Sequence, residues 1–232
     1  MGKLTLTQPL CCEKEWEQDG VTVLRASLTL PQCEGNSRKA RRFNRCYRQF
    51  CRAYLHYCEQ MLLPHAKAAL QSALERSQPW EASRAAVRYT VTLETPALLS
   101  LYLDADERGF APALTLRRSD TWSRSDGLPL PLSDFFPPRC KLRRRLLPAA
   151  CELAEAQLRQ GIALYREDWR RALRRSFNPR NFYLTPEGLV WYYPMYAVAP
   201  AAEGIVCFSL PYGADGPFLP GKPADEKTEA PG

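Results

Sequence analysis

The sequence predicts an α+β fold in which an antiparallel meandering sheet packs against a few long helices. Three stretches, Ala86–Glu94, Leu98–Asp106 and Ala113–Thr121, alternate apolar and polar side chains, which is typical of half-buried strands. Short turn segments join them, and strands joined by short turns pair antiparallel. Apolar residues at helical spacing over Ser37–Leu63 and Arg139–Gln160 predict the long helices.

The N-terminal part is predicted to hold two strands and a bent helix. The strands are expected at Lys3–Leu10 and Val21–Leu30. Ser37 is a suitable N-cap for the long helix, because its side-chain oxygen can accept a hydrogen bond from a backbone N–H of the first turn. Pro64 suits the first turn of a continuation, so we expect a bend there and a second helical segment over His65–Arg76.

The C-terminal part is predicted to be a helix followed by a hairpin and a final strand. The segment Tyr165–Arg175 continues the helical pattern after a bend at Gly161. Strands are expected at Asn181–Leu184, Leu189–Tyr193 and Ile205–Leu210. The first two are separated by Thr-Pro-Glu-Gly, which is a turn signal because glycine tolerates positive φ.

Arginine accounts for most of the charge, and the formal net charge is +7. An arginine stripe lies opposite an aromatic stripe on the predicted helix Ser37–Leu63, and such a run is usually a solvated face. The alternative is nucleic-acid binding, for which a pI near 9.0 is a borderline footprint, so we expect no nucleic-acid partner. The stripe consists of Arg38, Arg41, Arg42, Arg45, Arg48 and Arg52.

Nine cysteines occur in the chain, without any C-x-x-C spacing. That pattern argues against a zinc site and a complete disulfide framework, and it favours buried free thiols. Cys46, Cys51 and Cys58 fall on the apolar side of the predicted helix, where a thiol packs as a small hydrophobe. The adjacent pair Cys11 and Cys12 stays open as a candidate for redox or metal chemistry.

The N-terminal sequence bears on the cellular location of the protein, and the C-terminal sequence bears on whether that end is ordered. No secretory signal and no apolar run long enough to cross a bilayer is visible, so we expect a cytoplasmic chain without a membrane span. The segment 213–232 is rich in proline, glycine and charged residues. We expect it to be a disordered tail, because it has too little apolar surface to offset the entropy of ordering.

Groups that could perform catalysis are scarce in the sequence. The two histidines, His56 and His65, belong to no recognisable catalytic or metal motif, and no P-loop or nucleophile elbow occurs. Asp104, Asp106 and Glu107 are predicted to cluster in a turn, where such acids are usually solvated. We therefore expect no catalytic residue, no metal and no cofactor.

The segment from Asn181 to Gly204 carries the strongest motif. It reads Asn-Phe-Tyr-Leu-Thr-Pro-Glu-Gly-Leu-Val-Trp-Tyr-Tyr-Pro-Met-Tyr-Ala-Val-Ala-Pro-Ala-Ala-Glu-Gly and leads to a strand that ends in Pro211-Tyr212. This pattern resembles the closing hairpin of the family called domain of unknown function 3298. That family forms the C-terminal part of the RsiV-type anti-sigma factor, which senses lysozyme outside the membrane.

The resemblance extends upstream to the companion family, domain of unknown function 4163. Leu28-Thr-Leu-Pro-Gln32 and the passage from Ser119 to Phe136 are similar to it, whereas Arg108-Gly-Phe-Ala-Pro112 replaces the family's Gly-Gly-Ala-His segment. The resemblance implies four regions. They are an N-terminal strand region (1–20), a companion-like lobe (21–136), an RsiV C-terminal-like lobe (137–212) and a tail (213–232).

The resemblance implies a non-enzymatic protein-binding or sensing module linked to cell-envelope stress or sigma-factor signalling, with a lysozyme-like partner. Aromatics on the closing hairpin alternate across two faces, so one set is a candidate binding surface; the alternative is that all of them pack inside. Two other function classes stay open: a cell-wall glycan-modifying enzyme fragment and an arginine-stripe nucleic-acid binder. The candidate surface consists of Tyr183, Trp191, Tyr192, Tyr193 and Tyr196.

Overall fold

The computed structural model describes residues 3–219 of the chain, and these form an α+β fold as predicted. The strands are β1 (Leu10–Gln18), β2 (Val21–Leu30), β3 (Ser83–Glu94), β4 (Leu98–Arg108), β5 (Leu114–Ser123), β6 (Phe182–Leu184), β7 (Gly188–Tyr193) and β8 (Val206–Pro211). The helices are α1 (Arg38–Tyr57), α2 (Leu63–Glu75), α3 (Leu142–Gln160) and α4 (Trp169–Ser176). A π-helical turn (Cys58–Leu62) and two 3-10 turns (Leu132–Phe135 and Ala201–Glu203) complete the elements.

The larger sheet has the strand order β1-β2-β3-β4-β5 and is mostly antiparallel. β1 and β2 form an antiparallel hairpin in which Leu10 lies opposite Leu30. β2 and β3 instead run parallel, with Leu24 beside Ser83. The connection between them contains α1 and α2, which supply the long crossover that a parallel pair needs. The predicted antiparallel meandering sheet is thus confirmed in outline, and β2–β3 is a parallel pair within it.

The predicted N-terminal strand at Lys3–Leu10 is wrong. The first strand begins at Leu10, and before it the described chain makes a single bridge between Leu6 and Cys33. The segment Leu10–Gln18 pairs along the whole of β2 because a two-residue turn places the strands side by side. Most outward side chains of Leu10–Gln18 are charged, so this strand has a weak apolar pattern. The more apolar segment Lys3–Leu10 resembled a strand better, although it does not form one.

Hydrogen bonds define the start of the first helix at Ser37 and the π-helical turn before Pro64. Ser37 is the N-cap, and its hydroxyl oxygen accepts a hydrogen bond from the N–H of Ala40 at 3.2 Å. The predicted bend at Pro64 is a π-helical turn in which the N–H of Leu63 bonds the carbonyl of Cys58. Proline lacks an N–H, and the wider turn lets the helix continue where an α-helical bond cannot form.

The chain divides into two compact units. The first contains residues 3–90, 102–118 and 124–128, and the second contains 91–101, 119–123 and 129–219. β3, β4 and β5 each contribute residues to both units. The division is therefore interleaved, whereas the sequence suggested consecutive lobes.

The second unit is built on a three-stranded antiparallel sheet of order β6-β7-β8. Trp191 lies opposite Phe182 on one side and Phe208 on the other. The core continues into α3 and α4 through Leu146, Ala150, Ala154, Trp169, Ala172 and Leu173. α3 ends at Gly161, whose φ of 67° is the left-handed conformation that glycine adopts readily at a helix end.

The beginning of the predicted tail is ordered. Residues 213–219 follow β8, and the N–H of Phe218 donates a hydrogen bond to the carbonyl of Phe135 at 2.8 Å. Leu219 packs against the core of the second unit. The disorder expected from residue 213 is therefore corrected for 213–219, and the rest of that prediction lies outside the described residues.

The structure also addresses the membrane and thiol predictions. Within residues 3–219, no helix has both the length and the apolar content needed to cross a bilayer. None of the nine cysteines, all of which lie within residues 3–219, forms a disulfide bond. Only Cys33, Cys51 and Cys58 are buried, so the prediction of buried thiols is correct for three of the nine. Burial raises the pKa of Cys51 to about 11 and that of Cys58 to about 12, which keeps both thiols protonated at neutral pH.

Candidate functional site

The aromatic surface predicted on the closing hairpin is not exposed. Tyr183 is 9% exposed, Trp191 2%, Tyr192 3% and Tyr193 1%. Every residue of β7 is buried, because both faces of this strand are covered. Tyr196 is half-exposed, has a φ of 66° and lies after the strand. The interpretation as an exposed surface is therefore corrected for the four strand residues, and the alternative of inward packing applies to them.

These aromatics form the base on which the second unit is assembled. The ring centroids of Trp191 and Phe208 are 5.7 Å apart, and those of Tyr193 and Phe208 are 5.9 Å apart. On the other face of β7, the rings of Tyr183 and Tyr192 are 6.3 Å apart. Such pairs stabilise a core beyond the area that they bury. The hairpin therefore shares one core with the helices α3 and α4.

A surface groove of about 880 Å³ lies on α3 and α4 in the second unit. Four apolar side chains, Leu142, Leu147, Pro148 and Cys151, line its floor. Leu142, Leu147 and Cys151 are half-buried. A floor of this kind offers apolar surface that a ligand can remove from water.

The rim of this groove, which we call the basic groove, is entirely cationic. Its charged lining residues are Lys141, Arg143, Arg144, Arg170 and Arg174, and all five are exposed. No carboxylate of the described residues lines it. Long cationic side chains around an apolar floor keep their charges in water while their stems extend the apolar surface.

Two of the rim arginines are held in place. The guanidinium of Arg143 donates a hydrogen bond to the carbonyl of Arg174 at 2.7 Å, which links the start of α3 to the end of α4. Arg170 pairs with Glu155 at 2.8 Å and lies 4.4 Å from the ring centroid of Trp169. Two rim cations are therefore tethered to the groove and need little ordering when a ligand binds.

The start of α3 is electrostatically unfavourable in the absence of an anion. Its first turn contains Arg143, Arg144 and Arg145 and no acidic residue. The N-terminus of a helix carries partial positive charge, so cations there are disfavoured and anions are favoured. Proteins place such unfavourable residues mainly at functional sites, where binding outweighs the loss of stability. The three arginines at the start of α3 are therefore candidates for a binding role. An anionic ligand would relieve this repulsion.

The residues of the groove floor pack on the aromatic core. Tyr193 is buried in the hydrophobic core of the second unit, and Leu142, Leu147 and Cys151 of the basic groove pack against the same core. The hairpin that carries the sequence motif therefore supports the groove without forming its surface.

The acidic cluster of the first unit does not form a cation site. Asp104, Asp106 and Glu107 lie within β4 and not in a turn, so successive side chains point to opposite faces. Arg117 contacts both carboxylate oxygens of Asp104 at 2.7 and 2.6 Å, and Thr115 donates to Asp106 at 2.8 Å. Glu107 is buried on the opposite face. Over residues 3–219, no group of three or more potential ligands could hold a metal ion.

Sequence reasoning missed the basic groove, although a signal for it was present. The runs Lys-Leu-Arg-Arg-Arg at 141–145 and Trp-Arg-Arg-Ala-Leu-Arg-Arg at 169–175 both fall in predicted helices. A cationic run in a first helical turn without any acid contradicts the usual preference at helix N-termini. The arginines at the start of the predicted helix were therefore a signal for a binding site. The full site could not be predicted, because only the packing of α3 on α4 brings the two runs together.

Comparisons with known proteins place the basic groove within a recognised family segment. The family model described as "Protein of unknown function (DUF3298)" matches residues 133–213, which include α3, α4 and β6 to β8. No curated protein matches the chain.

Two solved structures share the fold. A DUF3298 family member from Bacteroides fragilis has a TM-score of 0.64 and 15% identity over 91% of each chain. A DUF3298 family protein from Pseudomonas aeruginosa PAO1 has a TM-score of 0.54 and 15% identity over 90% of each chain. The segment that carries the basic groove thus matches the DUF3298 family, and the fold resembles that of solved DUF3298 family proteins over nine-tenths of the chain.

Proposed function

We propose that the chain is a non-enzymatic protein-binding module and that its basic groove binds an acidic, amphipathic segment of a partner protein. The observation that carries this proposal is the composition of the groove. Five cationic side chains surround four apolar ones, and no carboxylate of the described residues lines it. A ligand that fits must present apolar side chains to the floor and carboxylates to the rim.

An amphipathic helix meets both requirements. Apolar residues spaced three and four apart form one face, and this face can fill an apolar groove while acidic residues flank it. The volume of about 880 Å³ suits a few anchoring side chains and not a whole domain. Charge complementarity with the rim would increase the rate of association and discriminate against basic partners.

A role in sigma-factor signalling or cell-envelope stress is part of the proposal through the resemblance of the closing hairpin alone. The lysozyme-like partner implied by that resemblance fits the groove poorly. Lysozyme is basic, and five rim cations on a chain of net charge +7 would repel a basic surface. We therefore propose an acidic partner in its place.

The direct test uses two labelled model peptides of about 18 residues, long enough for several helical turns. Both carry leucine at helical spacing; one has glutamate and the other lysine at the remaining positions. Fluorescence anisotropy at 50 mM NaCl should show saturable binding of the glutamate peptide and none of the lysine peptide. Equal binding of both, or of neither, would refute the proposal. Stronger binding to duplex DNA or to anionic vesicles would also refute it.

Two neighbouring arginines provide a matched pair of variants. Arg144 lines the basic groove, whereas Arg145 is equally exposed in the same helical turn and does not. Arg144→Glu should weaken binding of the glutamate peptide about five- to tenfold, since an attraction of up to about 1 kcal/mol becomes a repulsion. Arg145→Glu changes the net charge equally and should weaken binding by less than about twofold. Equal losses in the two variants would show non-specific attraction.

A further inference from the structure

The adjacent cysteines of the first strand lie on opposite faces of the larger sheet. Cys12 is the register partner of Leu28 in the antiparallel pair β1–β2, and register partners point to the same face. Leu28 is buried on the face of β2 that contacts α1 and α2. Cys12 is half-buried on this face, whereas Cys11 points to the other face and is exposed.

Cys51 lies on the side of α1 that packs on the sheet. The buried residues of α1 recur every three or four positions and so form one face of the helix; they are Ala40, Phe43, Asn44, Tyr47, Cys51 and Tyr54. Cys51 is 8% exposed. A hydrogen bond, in which either sulfur can donate, joins its thiol to that of Cys12. The two sulfur atoms are therefore neighbours, although the residues are far apart in the sequence.

Further contacts hold β1 beside the end of α1. Lys14 is the next residue of β1 on the same face as Cys12, and it forms an ion pair with Glu59 in the π-helical turn that follows α1. The indole of Trp16, one position further on this face, donates a hydrogen bond to the same carboxylate. The approach of Cys12 to Cys51 is thus part of a continuous contact between the strand and the helix.

We propose that Cys12 and Cys51 are a redox-active pair that forms a reversible disulfide bond when the protein meets a small disulfide such as oxidised glutathione. Of the two thiols, only that of Cys12 is accessible to such an oxidant, because Cys51 is buried. The bond closes the segment between residues 12 and 51 into a loop and ties the β1–β2 hairpin to α1. Both cysteines belong to the first unit, so the pair is independent of the basic groove.

The reaction is two successive thiol–disulfide exchanges. The thiolate of Cys12 attacks one sulfur of oxidised glutathione, expels a glutathione thiolate that takes up a proton from water, and keeps the other glutathione as a mixed disulfide. Cys51 then loses its proton and attacks the sulfur of Cys12. The second glutathione leaves as a thiolate and takes up that proton. In total, two protein thiols are oxidised by two electrons, and one oxidised glutathione is reduced to two thiols.

The burial of Cys51 determines how fast the bond forms and how long it lasts. Burial and the neighbouring Cys12 raise the pKa of the Cys51 thiol to about 11, so its thiolate is scarce at neutral pH and the second exchange is slow. Disulfides are easily reduced where the protein stabilises the resulting thiolate, and this thiolate is disfavoured instead. We therefore expect a disulfide that forms slowly and persists until a strong reductant is added.

The test treats the full reduced chain with oxidised glutathione and maps its tryptic peptides without reduction. Cleavage after lysine and arginine places Cys11 and Cys12 in residues 4–14 and Cys51 alone in residues 49–52. We expect these two peptides to be linked, and dithiothreitol to separate them. The melting temperature of the linked protein should rise by about 5 °C or more, because the bond constrains the unfolded chain. Absence of the link, or a stable glutathione adduct in its place, would overturn the proposal.

Three variants assign the link to its residues. Cys11→Ser is the matched control, since Cys11 is adjacent to Cys12 but lies on the other face; it should keep the link. Cys12→Ser should abolish both the link and the rise in melting temperature. Cys51→Ala should instead accumulate glutathione on Cys12, because the second thiol is missing. Loss of the link in Cys11→Ser, its persistence in Cys12→Ser, or wild-type levels of the adduct in Cys51→Ala would overturn the proposal.

Discussion

The two sheets of the molecule differ in how many of their faces are covered. β7 is buried along its whole length, with aromatic side chains on both faces. β3 and β4 in the first unit instead alternate between buried apolar residues and exposed or half-exposed charged ones. A strand covered on both faces supplies stability, while a strand with an open face offers groups for binding. The aromatic motif of the closing hairpin is therefore part of the core, and the proposed binding site lies on the helices that pack on it.

The two grooves follow from this difference. β7 has no exposed side chain, so the site proposed for the second unit lies on the helices that cover the sheet and combines an apolar floor with cations. The open face of the larger sheet carries a groove that contains both signs of charge. We expect an acidic amphipathic segment in the groove on the helices.

The largest expected loss of stability follows from truncating an aromatic side chain in the core of the second unit. Trp191→Ala should lower the free energy of unfolding by about 3–5 kcal/mol, because it removes a buried indole and leaves a cavity in the core of the second unit. Urea denaturation monitored by circular dichroism measures it. Leu164→Ala is the control, since Leu164 is 62% exposed and should cost less than about 1 kcal/mol. A loss below about 1 kcal/mol for Trp191→Ala would restore the interpretation of an exposed surface.

A smaller loss of stability is expected at Gly188, where the backbones of β7 and β8 are in close contact. A Cβ at Gly188 would overlap the carbonyl oxygen of Leu210, so Gly188→Ala must force β7 and β8 apart. We expect it to lower the free energy of unfolding by about 2–3 kcal/mol. At Gly213, whose added Cβ would meet nothing within 4 Å, the same substitution should change stability by less than about 0.5 kcal/mol. Equal effects at the two glycines would contradict this account.

The covered face of the larger sheet predicts a dependence on pH. Glu107 is 4% exposed, and Tyr57 donates a hydrogen bond to its Oε2 at 3.3 Å, while Oε1 has no hydrogen-bond partner in the described chain. Burial raises the pKa of this carboxyl group, and the bond from Tyr57 offsets that only in part. The folded protein thus keeps the proton to a higher pH than the unfolded chain, so stability falls as pH rises from about 4.5 through the raised pKa.

Glu107→Gln should remove that slope, since the glutamine cannot ionise. Above the raised pKa, we expect the variant to be more stable than the wild type, because only the wild type must then bury a charged carboxylate. Below pH 4.5 the two should be equally stable. Thermal unfolding between pH 4 and 8 measures the difference. Parallel curves for the two proteins would show that the carboxyl group is not penalised by burial.

The smallest effect on stability is expected on the open face. Glu13→Gln and Arg88→Gln should change the free energy of unfolding by less than about 0.5 kcal/mol, since these exposed charges have no partner to lose. Their melting temperatures should equal that of the wild type. A loss above about 1 kcal/mol in either would mean that the residue stabilises the sheet and would contradict the contrast between the two faces.

Much of the fold could be predicted from periodicity. Alternation predicts both ends of the strand Val21–Leu30, and the capping pattern predicts the N-cap at Ser37, because both are local signals. The parallel pair β2–β3 could not be predicted, because it depends on α1 and α2 folding back as a crossover. The first strand was misplaced because its outward residues are charged and weaken the apolar pattern.

The candidate sites were less accessible to sequence reasoning. Consecutive aromatics from Trp191 to Tyr193 suggested a two-sided strand, but an uninterrupted apolar run is also what a strand buried on both faces requires. The basic groove combines residues of α3 and α4 that are about 30 positions apart. That adjacency does not follow from local pattern.

The central claim, that the basic groove binds an acidic amphipathic segment, is tested most directly at Cys151. This half-buried thiol lines the floor, whereas the exposed thiol of Cys11 lies on β1. Alkylation rates at each cysteine are measured by peptide mapping with and without saturating glutamate peptide. The account predicts that the peptide slows alkylation of Cys151 several-fold and leaves Cys11 unchanged. A peptide that binds while Cys151 reacts at its original rate would contradict it.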